Sequence, residues 1–373
     1  MPDWQAVRNE FPALQNWTYL NSATFGQLPR CASAAVQAHL ACRDELACSN
    51  FLDWYNDADR IRADIGRLIH CQASDIAFFP NAAAGSSLLA NAIDWQPGDQ
   101  ILTLEHEFPN QLYIAQAYPQ AEAVIVPWPR FLESITSRTR LVMISTASYS
   151  TGQMPPCDQV AEACRKAGAL FSLDGTQSLG ALPFDVSAIQ PDLFVVDGYK
   201  WLLSPNGATF AYIHPRVREW LRPNVFGWRS DKRWRQVNEL HQGAPELKSD
   251  AERYEGGFLA FPSLYGMGAS VRFLLDLGPE VIGARVLELA EYARQQLRQR
   301  TGAKLLADTN PLCNGPILAA HWPGVDSSGL SAQLKQRRIL TSARHGNLRV
   351  STHFYNNEQD IDTLCSAIQE LVR

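Results

Sequence analysis

Two residues near the middle of the chain, Asp174 and Lys200, stand where a carboxylate and an amine can face one small molecule. Asp174 closes an apolar run in L-D-G-T-Q-S-L-G-A-L-P, and Lys200 follows the next run in V-V-D-G-Y-K-W-L-L-S-P-N-G. In a parallel sheet the carboxyl ends of neighbouring strands lie at the same edge, so the two side chains would meet there. An amine forms a Schiff base with an aldehyde. A carboxylate keeps a pyridine nitrogen protonated, so that the ring accepts electrons. Together they are the pair that pyridoxal 5'-phosphate (PLP) chemistry requires. Gln177, three residues past the aspartate, is placed to reach the phenolic oxygen of such a ring. Read one at a time, the same residues have a plainer account, with Asp174-Gly175 a strand-to-turn junction and Lys200 a surface lysine. At this level both accounts stay open.

The elements that must position these residues are short apolar runs alternating with helical stretches. Runs at 76–79, 100–104, 123–126, 141–145, 169–173, 193–196 and 209–213 read as strands, with helix candidates at 83–92 and 158–166. The runs are too apolar for a sheet wet on one face. They predict an α/β fold with a mainly parallel seven-stranded sheet covered by helices, its active site at the carboxyl ends of the strands. After about residue 260 the texture changes. Helices are expected at 264–277 and 280–300, the second with Val286, Leu289, Ala290, Ala293 and Leu297 at apolar positions. Strands are expected at 316–321, 339–342 and 348–351. A last helix after Asn356-Asn357 carries Ile361, Leu364, Cys365, Ile368 and Leu371 on one face. The expected division is a large cofactor-binding α/β domain over 18–258 and a smaller α+β domain from 1–17 and 259–373. The polar stretch 229–253 is expected to be an exposed loop.

Composition excludes several classes. The chain is 46% hydrophobic and 19% charged with a net charge of −5, so neither nucleic acid nor an acidic membrane surface is an expected partner. No apolar run approaches the roughly 18–20 residues of a membrane helix, and Met1-Pro2-Asp3-Trp4 lacks the layout of a signal peptide. Eight cysteines without a C-x-x-C pair read as reduced thiols of a cytoplasmic protein. Eight histidines form no H-x-x-x-H or Cys/His cluster, so no metal site is expected.

Taken together and in order, D-G-x-Q-S-x-G-x-x-P-x-D-V, an aromatic-Lys-Trp-Leu and a P-x-G resemble the class V aminotransferase family of fold-type I PLP-dependent enzymes. That group includes cysteine desulfurases, kynureninase and isopenicillin N epimerase-like proteins. The resemblance runs from Tyr19-Leu20-Asn21-Ser22-Ala23 to Phe354-Tyr355-Asn356-Asn357. It implies that Lys200 carries the Schiff base, that Asp174 faces the pyridinium nitrogen and that Gln177 faces the ring oxygen. Tyr199 stands where many members have His; kynureninase-like members have Tyr, whose hydroxyl meets the phosphate. Asp197 stands where a Ser or Cys often touches the phosphate. A carboxylate beside a dianion is electrostatically awkward, so the role of Asp197 stays open. Asn81-Ala82-Ala83-Ala84-Gly85 opens a helix, whose amides suit a phosphate. Ala82 and Ala83 replace the family's usual threonines there, leaving backbone amides alone.

The same resemblance makes Phe108 the ring-stacking residue; His106 is read as a polar loop residue, with a proton donor as the alternative. Arg349 grips the substrate α-carboxylate, which suits a planar guanidinium. Arg344 is a second candidate for that anion or for a side-chain acid, and Asn21 lines the same pocket. Arg253-Tyr254-Glu255-Gly256-Gly257 resembles R-[FY]-E-x-G-T, whose Thr reaches the neighbouring subunit's phosphate; Phe258 holds the Thr position here. A homodimer with shared active sites is expected, with Trp228 at its interface.

The activity implied is that of a PLP-dependent enzyme acting on a small amino acid. An external aldimine forms on the cofactor released from Lys200, and the freed lysine takes the Cα proton. Transamination, epimerisation and side-chain cleavage all branch from there. The alternative is a lyase of the cysteine C–S or kynureninase type. A cysteine desulfurase is disfavoured, because 314–364 contains no Cys and Cys313 lies far upstream of the carboxylate-binding arginine. A non-catalytic scaffold is opposed by the intact set of Asp174, Gln177, Lys200 and Arg349.

Overall fold

The seven apolar runs form one sheet in the computed structural model, which describes residues 2–241 and 243–372. Met1, Gln242 and Arg373, which fall within the expected 1–17, 229–253 and 259–373 segments, lie outside the described residues. The strands are β1 Ile76–Phe79, β2 Gln100–Leu104, β3 Glu122–Val126, β4 Thr139–Ser145, β5 Leu170–Asp174, β6 Leu193–Asp197 and β7 Thr209–Ile213. Their order is β1-β7-β6-β5-β4-β2-β3. Only β7 runs against its neighbours; the other pairs are parallel. The expected mainly parallel, helix-covered sheet is therefore what the chain builds.

Alternation along the strands divides the core into two layers. Val142, Ile144, Leu173, Phe194 and Val196 pack on one face, whereas Leu141, Met143, Leu193 and Val195 pack on the other. The helices beside the sheet are α1 Arg30–Leu46, α2 Phe51–Ile69, α3 Ala82–Ala92, α4 Pro109–Gln116, α5 Cys157–Ala167 and α6 Phe261–Leu277. Ile61 and Ile65 of α2 share the first layer with Leu264 and Met267 of α6. Leu88 and Leu89 of α3 and Ile114 of α4 fill the second.

A second, antiparallel sheet lies toward the C-terminus. It comprises β8 Lys304–Leu305, β9 Ile317–His321, β10 Ser342–Arg344 and β11 Asn347–Ser351, in the order β10-β11-β9-β8. Helices α7 Pro279–Thr301, α8 Ser327–Gln336 and α9 Glu358–Leu371 cover it. Leu297, Leu334 and Ile361 bury there with Leu318, Leu348 and Val350.

The N-terminal segment joins the two sheets. Thr18–Tyr19 pairs parallel with Ile339–Leu340, and Asn21 bridges to Ser351. A few residues on, the Gly26 amide donates to the Tyr199 carbonyl (2.9 Å). Gly26 has no freedom to be anything larger, because a Cβ would fall 1.8 Å from the Lys200 carbonyl oxygen.

One expectation is corrected. The stretch 229–253 is an exposed loop only in its middle, where 235–246 is mostly exposed among the described residues; nearer its ends Arg229 and Ala251 are fully buried and Trp234 is 1% exposed. The charges at its buried ends are paired in the interior. Arg229 pairs with Glu252 and, at 3.0 Å, with Glu255, which also takes Arg62 at 2.6 Å. The Arg229 guanidinium also lies 4.5 Å and 4.8 Å from the Tyr55 and Trp234 ring centres.

Candidate active site

The carboxyl ends of the strands supply one cavity. Asp174 closes β5 and Thr176 and Gln177 follow it; Asp197 closes β6 and Tyr199 and Lys200 follow it; Ser145 closes β4 and Tyr149 follows it; Phe108 and Asn110 follow β2; Ala82 follows β1. The sheet thus gathers six of the expected site residues, together with Asp197, around one hollow.

Lys200 is 6% exposed. Among the described residues its amine has no hydrogen bond or ion pair, and it points between the rings of Phe108 (5.3 Å to the centre) and Tyr199 (5.5 Å). The turn behind it is held by Leu203, a buried residue in the left-handed region at φ +57°. Burial lowers the Lys200 pKa to about 8, with the Asp174 carboxylate pulling the other way. An amine attacks an aldehyde as its free base, so its reactivity climbs about tenfold per pH unit below its pKa and levels above it. Capture of an uncharged aromatic aldehyde by the apo protein, trapped with cyanoborohydride, is expected to level near pH 8. A rate still climbing at pH 9.5 would show an ordinary, solvated lysine.

Asp174 is also buried, and burial raises its pKa against the pull of Thr176 and Lys200. One carboxylate oxygen accepts from the Thr176 amide (2.8 Å) and the other from Gln111 Nε2 (3.3 Å). Gln177 is fixed at both ends of its amide: Nε2 donates to the Ala23 carbonyl (3.1 Å) and Oε1 accepts from Trp201 Nε1 (3.1 Å). The second Nε2 hydrogen remains for another acceptor.

At the far end of the cavity stands the N-terminus of α3. Asn81 caps it, its side chain accepting from the Ala84 amide (3.0 Å). The Ala82 amide donates to Asp197 Oδ2 (3.3 Å). A carboxylate therefore already sits where sequence comparison places a phosphate.

Arg349 lies on β11, 1% exposed. It donates to the Tyr149 carbonyl (2.6 Å), to Asn21 Oδ1 (3.2 Å) and to the Thr24 hydroxyl. No acid pairs with it among the described residues, and its Nε is buried without a partner. Burial, reinforced by the nearby charge of Arg344, lowers its pKa to about 9. Arg344, half-buried on β10, donates only to the Ala343 carbonyl (2.7 Å). His106 is exposed, beside Glu105 at 3.5 Å.

Two residues were missed by sequence reasoning. Glu107, 4% exposed next to Phe108, accepts from the Ser145 amide (2.6 Å) and hydroxyl (2.5 Å). Burial raises its pKa to about 7, with the Ser145 bonds opposing. Its only sequence signal is its place just past the end of β2. Tyr149 stands edge-on to Phe108 (5.2 Å, 87°), and its hydroxyl shares a hydrogen bond with His345 Nε2 (3.0 Å). It lies in an irregular stretch with no pattern to mark it.

An unpaired buried lysine, a buried carboxylate and a helix N-terminus at the carboxyl edge of a mainly parallel seven-stranded sheet define a PLP-dependent enzyme of fold type I. The comparisons agree with that class. The chain belongs to the class-V aminotransferase family, whose model matches residues 18–364. It is similar to isopenicillin N epimerase from Streptomyces clavuligerus, 28% identical over 402 residues covering 99% of this chain and 98% of that one. A probable cysteine desulfurase from Methanothermobacter thermautotrophicus is 22% identical, over 98% of this chain and 97% of that one. Among solved structures, a C-DES mutant with glycine covalently linked to its PLP cofactor has a TM-score of 0.90 at 23% identity, covering 99% of this chain and 100% of that one.

The residues present fit the cofactor's ring end. An unpartnered amine, an aromatic face and a buried carboxylate already line the hollow. The phosphate end is thinner, because α3 opens on Ala82 and Ala83, which offer backbone amides and no hydroxyl or charge.

Proposed function

We propose that Lys200 holds the cofactor and that the enzyme acts on a small amino acid, whose carboxylate Arg349 binds and whose Cα proton Lys200 removes. The observation that carries this reading is Arg349, a buried guanidinium without an acid, close enough to Lys200 for their charges to repel. When bound, PLP supplies the aldehyde that links to an amine and the ring that draws electrons from the bonds at Cα. Asp174 keeps a proton on the ring nitrogen, and Gln177 offers its free amide hydrogen to the ring oxygen. Phe108 covers one ring face. Tyr199 and the amides of Ala82 and Ala83 meet the phosphate. Asn21, Thr24 and the Tyr149 carbonyl hold the Arg349 guanidinium in place, leaving its charge and one Nη1 hydrogen for a carboxylate. Arg344 adds positive charge beside it.

In this reading 18–258 holds the cofactor, and 1–17 with 259–373 brings Arg349 to it. A homodimer with shared sites completes the enzyme; the exposed Phe258 (66%), Val225 (60%) and Phe226 (59%) support a contact surface there. Eight free thiols suit the reducing cytoplasm. No helix among the described residues is long and apolar enough to cross a membrane. Cys313 is 3% exposed with its thiol pKa pushed up to about 11 by burial, which weighs against it as a desulfurase nucleophile.

The test is a panel of L- and D-amino acids on the holoenzyme, scored separately for Cα–H exchange in D2O, epimer, pyridoxamine phosphate, pyruvate with sulfide, and anthranilate. Exchange at Cα with at least one small amino acid is the expected result. Arg349→Lys should raise KM for it by about 10- to 100-fold, the loss of one or two charge-assisted hydrogen bonds. An amine without a carboxylate that reacts equally well in both proteins would overturn the role of Arg349. Sulfide and pyruvate as products would move the assignment to a C–S lyase.

A further inference from the structure

Asp197 is the one charged group at the phosphate end that the reading above leaves without a task. Its carboxylate ends β6 on the floor of the cavity, 9% exposed, and accepts the Ala82 amide at the mouth of α3. Its own backbone amide donates to Thr176 Oγ1 (2.9 Å), which locks the strand end in place. A phosphate at this helix N-terminus would need the amide that Asp197 now takes. At neutral pH it would also bring nearly two negative charges against a carboxylate that cannot retreat with its backbone.

We propose that Asp197 is an internal rival of the cofactor's phosphate, and that the phosphate displaces it from the Ala82 amide only as Asp197 takes up one proton from solvent. Protonated, Asp197 turns from acceptor to donor and gives its O–H to a phosphate oxygen. One proton is thus bound for each phosphate bound, and cofactor affinity carries a built-in pH dependence. Burial already biases the carboxyl of Asp197 toward the neutral form, and the Asp174 carboxylate pushes the same way. The other charged or titratable groups facing it are Lys200 and Tyr199 from the turn after β6, with Asp174 from β5. The Thr209 hydroxyl on β7, the α3 amide and Lys200 oppose the bias. Burial pushes the Tyr199 hydroxyl up to about 12, so it keeps its proton across the working range.

The inference rests on the assignment of the cofactor to Lys200, and the experiment separates the two. Apo protein is titrated with PLP and, in parallel, with pyridoxal, which has the same aldehyde and ring but no phosphate. Binding is read from visible absorbance between pH 7 and 9 in wild type, Asp197→Asn and Asp197→Ser. In wild type the preference for PLP over pyridoxal is expected to fall by about tenfold per pH unit, the signature of one linked proton. In both variants it is expected to be flat, and at pH 8 at least about tenfold larger than in wild type. Calorimetry in buffers of different ionisation enthalpy should count one proton more taken up with PLP by wild type than by Asp197→Asn. A flat preference in wild type, or the same slope in the variants, overturns the rivalry. Failure of wild type to bind either aldehyde overturns the assignment of Lys200 instead. Pyridoxal binding by each variant reports within the same experiment that it has folded.

Discussion

Lys200→Ala is expected to leave a folded protein that neither retains PLP through borohydride reduction nor exchanges the Cα proton of any amino acid. Two losses combine. Among the described residues the amine is the only one lining the cavity, so no other side chain seen there offers covalent attachment. It is also the group we assign to move the Cα proton, and its pKa of about 8 matches that task near neutral pH, where an ordinary lysine is almost wholly protonated. Loss of a positioned general base alone costs about 10²- to 10⁴-fold in rate, and the expected fall is at or beyond the upper end. Mass spectrometry of the reduced protein and deuterium exchange at Cα measure the two losses separately. A variant still labelled at another lysine, with more than a tenth of wild-type turnover, would remove Lys200 from the mechanism. Chemical rescue separates base from anchor: a small primary amine in the buffer should restore part of the proton transfer without restoring attachment.

The second large effect is expected from Asp174→Asn. The amide keeps the size of the carboxyl, and its oxygen can still accept the Thr176 amide at the 2.8 Å that Asp174 Oδ1 now spans. What it cannot do is hold a proton against a pyridine nitrogen by charge. The ring then loses its pull on the bonds at Cα, and turnover is expected to fall by about 10²- to 10³-fold, the scale seen when one electrostatic stabiliser is removed from a buried site. Affinity for PLP should change much less, since Lys200 and the phosphate end are untouched. The check is kcat alongside the PLP dissociation constant. Equal losses in both would mean that Asp174 only shapes the pocket.

Much of this was legible in the sequence, because burial on both faces writes strands as unbroken apolar runs. β2, β6 and β7 are each five buried residues, and the chemistry follows directly after such runs. The D-G-x-Q-S and Tyr-Lys-Trp motifs did the rest for Asp174, Gln177 and Lys200. Other parts left no trace. α1 is Ala-rich, with only Ala32 and His39 fully buried, so its apolar stripe is too faint to read. The whole of 229–253 looked solvated, as its middle is, because composition counts charges but does not show that Arg229 will meet Glu252 and Glu255 in the interior. Glu107 resembles any loop glutamate until the Ser145 amide and hydroxyl are seen to close over it. The occupation of the α3 amide by Asp197 needed coordinates, since 115 residues separate the two groups.

The segment around residues 18–26 has a consequence for how the enzyme is made. Thr18 and Leu20 donate to the carbonyls of Arg338 and Leu340, the Tyr19 carbonyl accepts from Asn356, and Leu20 accepts from the Ser351 amide. All four partners lie more than 300 residues further along the chain. The large sheet can form during synthesis, but residues 18–26 must wait for residues 338–356 before Asn21 can brace Arg349. Closing a loop of more than 300 residues is slow. Nascent chains halted before residue 338 should therefore carry a formed sheet and an exposed leading segment, open to protease near its start. Bracing of Arg349 by the leading segment is then a late event of folding, set by the synthesis of residues 338–356.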